Sequence, residues 1–358
     1  MTKFNTSLTI NSKTFTGRHL IDFCSSGLSA AQAGSPEYNL YDFILKWISE
    51  KPVIAVKTSG STGEPKELIL SKQAMAESAK LTGNFLGLKK GDKALLCLPM
   101  EFIAGKMMVV RAFVLGLNLV PVPPAANPLK NIDRSFGFAA MTPMQVHNIL
   151  ENVHGYEKLN KIENLIIGGG DTGKSLLKKI RKLQNKTFHT YGMTETITHV
   201  ALKRLNGDSP DTHFKALKNI TFGKDERGCL IINAPHISKE MIKTNDLVEF
   251  KSNTEFNFTG RFDNVINTGG IKVFPEAIEK KVSDIISERF IIAALPDEKL
   301  SEKIVLIIEG AKKKDYEKAI SNSTLSKYEK PKEIFFIDKF PETAGGKIDR
   351  NEILSLLY

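Results

Sequence analysis

Cysteine is scarce in this sequence: Cys24, Cys97 and Cys229 are spread through 358 residues. They form no C-x-x-C pair and no even disulfide set, so we expect a protein of the reducing cytoplasm. The opening MTKFNTSLTI has no basic segment followed by an apolar block, and we expect no signal peptide. We also expect no membrane span, because the longest apolar region, residues 107–126, is interrupted by Arg111 and contains prolines.

Common signatures of covalent nucleophiles and catalytic zinc are missing as well. The sequence has no G-x-S-x-G and no H-E-x-x-H, which excludes the hydrolase chemistries that those patterns carry. Acidic residues number 40 against 50 lysines and arginines, so the net charge is +10. This excess fits a solvated lysine-rich surface, a protein that handles nucleotides, or a basic nucleic-acid-binding protein. The lysines have no interleaved aromatic residues, and we expect no nucleic-acid partner.

Short apolar runs alternate with amphipathic stretches, which predicts an α/β fold. Strands are expected at 53–56, 94–98, 119–122, 165–167 and 230–232, and helices at 40–49, 72–86, 105–115 and 143–150. The pattern changes near Asn264. There a helix opened by Pro275 and then strands at 289–297, 303–310 and 331–340, with a helix at 315–323, predict a small α+β unit.

A glycine-rich stretch, Ile166 to Ser175 (IIGGGDTGKS), matches the Walker A pattern between an apolar run and a helix-like segment. A P-loop NTPase would also need an acid at the end of a second strand, and Asp338 after EIFFI could serve. The alternative interpretation is that Gly169 and Gly170 let a purine lie flat on the backbone, because a Cβ there would collide with it. Asp171 would then border the purine edge, and Lys174 would begin a surface helix.

The stretch TSGSTGEPK, residues 58–66, follows a strand-like run and combines hydroxyl side chains, glycines and a lysine. Glycines let backbone N–H groups face a phosphate, and hydroxyls and lysine add donors and charge. The residue order resembles the phosphate loop of the acyl-adenylate-forming, AMP-binding enzymes, which include acyl-CoA synthetases and adenylation domains. The resemblance implies that the loop holds the β- and γ-phosphates of ATP. The residues concerned are Thr58, Ser59, Gly60, Ser61, Thr62, Gly63 and Lys66.

Further segments of that family follow in order. YGMTET, residues 191–196, offers an aromatic face for a base, a hydroxyl, and a carboxylate for a hard cation. The resemblance implies that Tyr191, beside Gly192, stacks on adenine, that Thr194 contacts the α-phosphate, and that Glu195 holds Mg²⁺. In TNDLVEF, Asp246 corresponds to the residue that binds the ribose hydroxyls, and Asn245 replaces the usual glycine.

The last two segments lie at and beyond the change in pattern. TGRFDNVINTGGIKVFPEAIE resembles the family's hinge signature: Arg261 would bind ribose, Asp263 would be the pivot, and Gly269 and Gly270 would face the pantetheine arm of CoA. PETAGGKIDR resembles the segment whose lysine is needed for adenylation. Lys347 would stabilise negative charge in the transition state.

The resemblance covers the chain except roughly its first fifty residues, where family members usually carry a longer region. It implies an α/β fold with a large N-terminal domain of mixed sheets and helices, residues 1–260, a hinge at 261–263, and a small mobile α+β C-terminal domain, residues 264–358. Within the family, the sequence around YGMTET and the compact length look most like the o-succinylbenzoate–CoA ligases of menaquinone biosynthesis.

The resemblance therefore implies an AMP-forming ligase that uses ATP, Mg²⁺, CoA and an aryl carboxylic acid, in a chain that could form a homodimer. Phe102, in place of a frequent histidine, Thr142 and His199 are expected near the acyl group. A second substrate carboxylate needs a basic or hydroxyl partner, and Thr142, Lys106 and His199 are equal candidates. Other aryl acid–CoA ligases and stand-alone adenylation enzymes remain alternatives.

Overall fold

The computed structural model describes residues 6–57, 67–312, 315–342 and 348–357. By internal contacts the chain divides into two compact units. The first comprises Met1–Asp171, Lys179–Thr221 and Asn233–Ile242, and the second comprises Thr172–Lys178, Phe222–Ile232 and Lys243–Tyr358.

The first unit contains the alternating strands and helices that the sequence predicts. Its strands are β1 (Ser7–Ile10), β2 (Lys13–Thr16), β3 (Val53–Lys57), β4 (Glu67–Ser71), β5 (Lys93–Leu96), β6 (Asn118–Pro121), β7 (Phe136–Met141), β8 (Ile162–Ile167), β9 (Lys186–Gly192), β10 (His199–Arg204) and β11 (Phe214–Ala216). Its helices are α1 (Gly17–Ala30), α2 (Pro36–Ile48), α3 (Lys72–Leu86), α4 (Ile103–Leu115), α5 (Pro143–Leu150) and α6 (Gly155–Asn160). Helix α7 (Gly173–Ile180) follows β8.

The main sheet of the first unit has the order β11-β10-β9-β8-β7-β5-β6-β1-β2. Within this sheet, β6, β5, β7, β8 and β9 form a parallel group in that order. Strand β10 pairs with β9 in the antiparallel direction. The carboxyl ends of the parallel strands therefore meet at one edge, which is where α/β folds bind their ligands. Strands β3 and β4 form a separate antiparallel pair.

Local signals fix the ends of the helices near that edge. Thr142 closes a capping box with Gln145 at the start of α5, where Pro143 takes the first-turn position. Ser71 accepts the N–H of Ala74 at the start of α3, and Gly87 ends that helix in the left-handed conformation with φ +68°. Helix α4 is buried almost all round from Met107 to Phe113, as expected for a helix without a polar face.

The second unit contains two sheets. One has the order β12 (Thr221–Lys224), β13 (Cys229–Asn233), β14 (Ile242–Ser252) and β15 (Glu255–Arg261). The other contains β16 (Ile266–Thr268), β17 (Ile271–Val273), β18 (Phe290–Asp297), β19 (Ser301–Glu309) and β20 (Glu333–Ile337). Helices α8 (Pro275–Val282), α9 (Tyr316–Ser321) and α10 (Arg350–Ser355) accompany the second sheet.

The second sheet has apolar clusters of its own, drawn from residues 266–357. A 3₁₀ turn, Phe262–Asn264, connects it to β15. The predicted hinge, residues 261–263, falls on this connector. The contact-based division instead groups residues 243–261 with the C-terminal residues, so the domain boundary and the hinge stay predictions.

The three cysteines are free and buried. Among the described residues, no helix combines the length and the apolar character that crossing a bilayer requires.

Candidate active site

The loop after β8 presents bare backbone at the ligand edge of the sheet. A Cβ on Gly168 would lie 2.3 Å from Thr190 Oγ1, so a larger residue there would displace the Thr190 side chain. Gly169 has φ +88° with open space where a Cβ would lie, and the nearest atom to a Cβ on Gly170 would be Pro143 at 3.8 Å. A flat ligand could lie on this turn, which is consistent with the purine interpretation of Gly169 and Gly170.

The loop after β9 is folded tightly on itself. A Cβ on Gly192 would lie 2.2 Å from the carbonyl oxygen of Thr198. Thr196 Oγ1 accepts the Met193 N–H at 2.9 Å and lies 2.7 Å from the Thr198 carbonyl oxygen. Ile197 has φ +66°, an unusual value for a β-branched residue that is typical of functional loops. The loop thus holds a fixed, strained shape.

This shape leaves the predicted catalytic side chains accessible. Thr194 is half-buried and Glu195 is exposed. Glu195 makes no hydrogen bond or ion pair within the described ranges. Mg²⁺ usually binds one or two carboxylates together with substrate phosphates and water, so a single free carboxylate fits the predicted ion. No group of three His, Cys, Asp or Glu side chains suited to a metal occurs among the described residues.

Tyr191 lies in β9 with its ring nearly buried against Phe214, at a centroid distance of 5.9 Å. His189, two residues earlier, also contacts Phe214, at 5.3 Å. Its Nε2 lies 3.0 Å from the Gly170 carbonyl oxygen, and since a carbonyl only accepts, Nε2–H is the donor. Desolvation lowers the pKa of His189, and nearby Asp171 opposes that shift. The neutral imidazole therefore ties the predicted adenine strand to the predicted adenine loop.

The ends of β5, β6 and β7 are joined by one side chain. Gln145 Nε2 donates to the carbonyl oxygens of Cys97 and Ala125, each at 3.1 Å. Beside them, Phe102 is the N-cap residue of α4. Lys106 donates to the carbonyl oxygens of Met100 and Glu101 at 2.5 and 2.8 Å, and burial lowers its pKa to about 8. Its ammonium group thus already has backbone partners.

His199, predicted near the acyl group, is buried at the start of β10. Its Nε2 lies 3.1 Å from Thr82 Oγ1. Because that hydroxyl donates to the Ser78 carbonyl oxygen, it accepts from His199. Desolvation, with repulsion from Arg111, holds the pKa of His199 well below its ordinary value, so the ring is neutral.

Arg111, which the sequence analysis did not single out as a site residue, is the buried cation beside His199. It is 2% exposed on α4, and its guanidinium lies 5.8 Å from the Phe138 ring centroid. Its polar contact is Met108 Sδ at 3.8 Å, and its Nε has no hydrogen-bond partner. Across the described ranges no carboxylate pairs with it. Desolvation lowers its pKa to about 10.

The second unit brings several predicted residues together. Asp246 and Arg261 are paired across β14 and β15, with Arg261 Nη1 3.9 Å from Asp246 Oδ1. Arg261 Nη2 also donates to Asp263 Oδ2 at 2.9 Å. Gly269 and Gly270, with φ +60° and +83°, form the exposed turn between β16 and β17.

Two predicted elements lie outside the described residues: the phosphate loop, with Thr58, Ser59, Gly60, Ser61, Thr62, Gly63 and Lys66, and the predicted catalytic Lys347. Their described flanks are paired. Lys57 pairs with Glu67 at the base of the first segment, and Glu342 forms a bridge with Ile348 at the base of the second.

Parallel strands with glycine turns and an aromatic residue at their carboxyl edge are typical of nucleotide-binding α/β proteins. The AMP-binding enzyme family matches residues 44–221. The acyl-CoA synthetase (AMP-forming)/AMP-acid ligase II-like protein of Dyadobacter fermentans has a solved structure and is 37% identical. The match covers 94% of this chain and 98% of that one, with a TM-score of 0.63. The chain therefore belongs to the AMP-forming acyl-CoA synthetase and AMP-acid ligase family, and it is an enzyme of that ligase class.

More distant relatives are similar over nearly all of the chain. A 2-succinylbenzoate–CoA ligase of Listeria monocytogenes is 23% identical over 360 residues, covering 93% of this chain and 76% of that protein. The o-succinylbenzoate CoA synthetase of Bacillus subtilis, solved with the acyl-adenylate OSB-AMP, is 16% identical with a TM-score of 0.74 over 99% of this chain and 96% of that one. It shares the fold.

Family membership overturns the P-loop NTPase alternative. Lys174 lies in the first turn of α7, as predicted, and its Nζ pairs with Asp284 at 2.7 Å. Strand β8, which precedes the Walker-like stretch, and β20, which precedes Asp338, lie in different sheets.

Proposed function

We propose that this chain joins o-succinylbenzoate to CoA, using ATP and releasing AMP and pyrophosphate. The choice of o-succinylbenzoate is supported by the names of the relatives. The relatives from Listeria, Lactococcus and Oceanobacillus, at 23–24% identity, are named 2-succinylbenzoate–CoA ligases. A dicarboxylic aryl acid needs one carboxylate at the reacting phosphate and a partner for the other.

The observation that carries this choice is the unpaired charge of Arg111. A buried guanidinium without a carboxylate partner destabilises a protein strongly. The carboxylate of a bound substrate would supply the missing partner and would accept a charge-assisted hydrogen bond from Nε–H, which has no partner. The neighbouring His199 ring is neutral, so Arg111 supplies the positive charge that would attract a substrate carboxylate. Lys106 is already occupied by backbone carbonyls, which disfavours it as the second-carboxylate partner.

We propose the following reaction. A carboxylate oxygen of the substrate attacks the α-phosphorus of ATP, pyrophosphate leaves with the displaced electron pair, and an acyl-AMP forms. The CoA thiol then gives its proton to solvent and attacks the acyl carbonyl, and AMP leaves with the electron pair of the broken acyl C–O bond. Thr194 contacts the α-phosphate, and Lys347 stabilises the negative charge that develops in the first step. Mg²⁺, held by Glu195, would neutralise phosphate charge.

The remaining roles follow the family pattern. The 58–66 loop holds the β- and γ-phosphates, Gly169, Gly170 and Tyr191 receive the adenine, and Asp246 and Arg261 receive the ribose. Asp263 is the pivot that lets Gly269 and Gly270 meet the pantetheine arm in the second step. We also propose that the enzyme works in the cytoplasm, where its buried thiols stay reduced, and that it forms a homodimer, which sedimentation analysis would test.

The decisive experiment is ATP–pyrophosphate exchange with a panel of aromatic acids, followed by thioester assays with and without CoA. We expect exchange with o-succinylbenzoate to exceed that with benzoate or its monomethyl ester, and AMP to be the nucleotide product. Preference for a monocarboxylate would identify another aryl acid–CoA ligase. Exchange without transfer to CoA would identify a stand-alone adenylation enzyme.

A further inference from the structure

Position 245 is where this chain departs from the family's T-G-D-L segment, and the structure shows what the replacement contacts. Asn245 lies on β14 and is half-buried. Its Nδ2 donates to Asp263 Oδ2 at 3.1 Å, and its Oδ1 accepts from Arg227 Nη1 at 2.9 Å. Glycine could make neither bond.

Arg227, which donates to Asn245, is held by further contacts of its own. Its guanidinium pairs with Asp225 at 2.8 Å and donates to the Thr244 carbonyl oxygen at 3.1 Å. It also lies 5.1 Å from the ring centroid of Phe262, the first residue of the connector. One arginine thus touches β14 and the connector.

Asp263 sits in the middle of the connector between the two sheets of the second unit. Its Oδ2 accepts from both Asn245 and Arg261. On the other side of the connector, Asn264 Nδ2 donates to Glu276 Oε1 on α8 at 2.5 Å. A rotation of the Asp263 backbone would pull its carboxylate away from β14 and break the contact with Asn245.

We propose that Asn245 is a positioning residue: with Arg227 it holds Asp263 against β14 and so sets how much of the protein adopts this connector conformation. The proposal rests on the proposed function, in which the connector turns between adenylation and thioester formation. Removing a hydrogen bond to a charged group shifts an equilibrium on the order of tenfold when buried, and less at a half-exposed site. We expect a shift of about threefold to tenfold.

The first test is Asn245→Gly, with the two half-reactions measured separately: pyrophosphate exchange for adenylation, and thioester formation from supplied acyl-AMP. We expect the two rates to change in opposite directions, because any rise in the population of one conformation lowers the population of the other. Asn245→Asp places a second carboxylate opposite Asp263 and should shift the ratio further. The matched control is Asn257→Gly on β15, whose side chain makes no hydrogen bond within the described ranges. A fall of both rates together, or no change in their ratio, would overturn the proposal.

A second measurement does not depend on activity. Spin labels on cysteines introduced at Lys251, on β14, and at Lys299, in the β18–β19 turn, report the distance between the two sheets; the native cysteines are buried. We expect the protein with Asn245 intact to give a narrow distribution of distances, and Asn245→Gly to add a second population that Asn257→Gly does not. If Asn245→Gly changes the spin-label distances but no aromatic acid supports adenylation, the proposed function is wrong and the role of Asn245 stands. If catalysis proceeds and the distances do not respond, Asn245 has no such role.

Discussion

His189 Nε2 donates a hydrogen bond of 3.0 Å to the carbonyl oxygen of Gly170. The bond joins β9, which carries Tyr191, to the glycine turn after β8. Because Tyr191 and His189 both pack on Phe214, the proposed purine site has one shared apolar support. The turn and the aromatic ring are therefore held in place by the protein before any nucleotide arrives.

We predict that His189→Ala weakens ATP binding about fivefold, the effect of one hydrogen bond of ~1 kcal/mol. The carboxylic acid KM should change little, because the turn faces the nucleotide. His189→Gln, which retains a donor, should recover part of the affinity. His147→Ala, on the exposed face of α5, is the control. Titration with ATP and steady-state KM values check the prediction; an equal effect on both substrates would contradict it.

Arg111 gives a prediction with two readouts of opposite sign. Arg111→Met should raise the KM for o-succinylbenzoate by 10²-fold or more, because the substrate carboxylate would be left without its cation. The same change should leave the substrate-free protein as stable or more stable, since an uncompensated buried charge is removed. Steady-state kinetics measures the KM, and thermal unfolding of the substrate-free protein measures the stability. A loss of stability without substrate would show that Arg111 has an internal partner.

Elements whose ends are set by local sequence signals could be predicted, whereas elements that depend on tertiary packing could not. Helices α3 and α5 begin and end where the sequence predicts, because Ser71, Thr142 with Pro143, and Gly87 are local caps. The β1–β2 hairpin and α1 were not predicted. Strand β2 has no buried residue, and α1 buries only Leu20 and Cys24 and begins without a side-chain cap or an acid in its first turn, so neither has a strong sequence pattern.

The site shows the same division. Tyr191 and Glu195 are predicted site residues because they belong to a contiguous motif. Phe214 and Arg111 belong to no such motif, and the structure alone brings Phe214 against Tyr191 and Arg111 against Phe138. An arginine in an otherwise apolar helix was the available signal for Arg111. The stretch IIGGGDTGKS shows the reverse problem: it matches Walker A, but β8 and β20, which precedes the candidate acid Asp338, belong to different sheets.

We predict that His199 contributes to acid sensitivity. Its pKa in the folded protein lies below that of the unfolded chain, so between the two values the unfolded state binds more protons and stability falls as the pH falls. The loss should appear below about pH 6.5. His189 and His236 have lowered pKa values as well and act in the same direction.

Replacing His199 with Gln should flatten this dependence while retaining a donor to Thr82. Denaturant unfolding at pH 5, 6 and 7 measures the slope. His154→Gln, an exposed histidine beside Glu157, is the control and should leave the profile unchanged. A parallel profile for His199→Gln and the wild-type protein would contradict the prediction.

Lys347 separates the two proposed chemical steps. Lys347→Ala should abolish ATP-dependent adenylation, because the charge that stabilises the developing negative charge at the α-phosphate is removed. Thioester formation from supplied acyl-AMP should remain largely intact, since that step has no pentavalent phosphorus to stabilise. Lys339→Ala, which changes an exposed lysine at the end of the strand-like stretch before this segment of the sequence, should affect neither step. An equal loss of both half-reactions in Lys347→Ala would assign the lysine to binding or folding, and would remove it from the adenylation step.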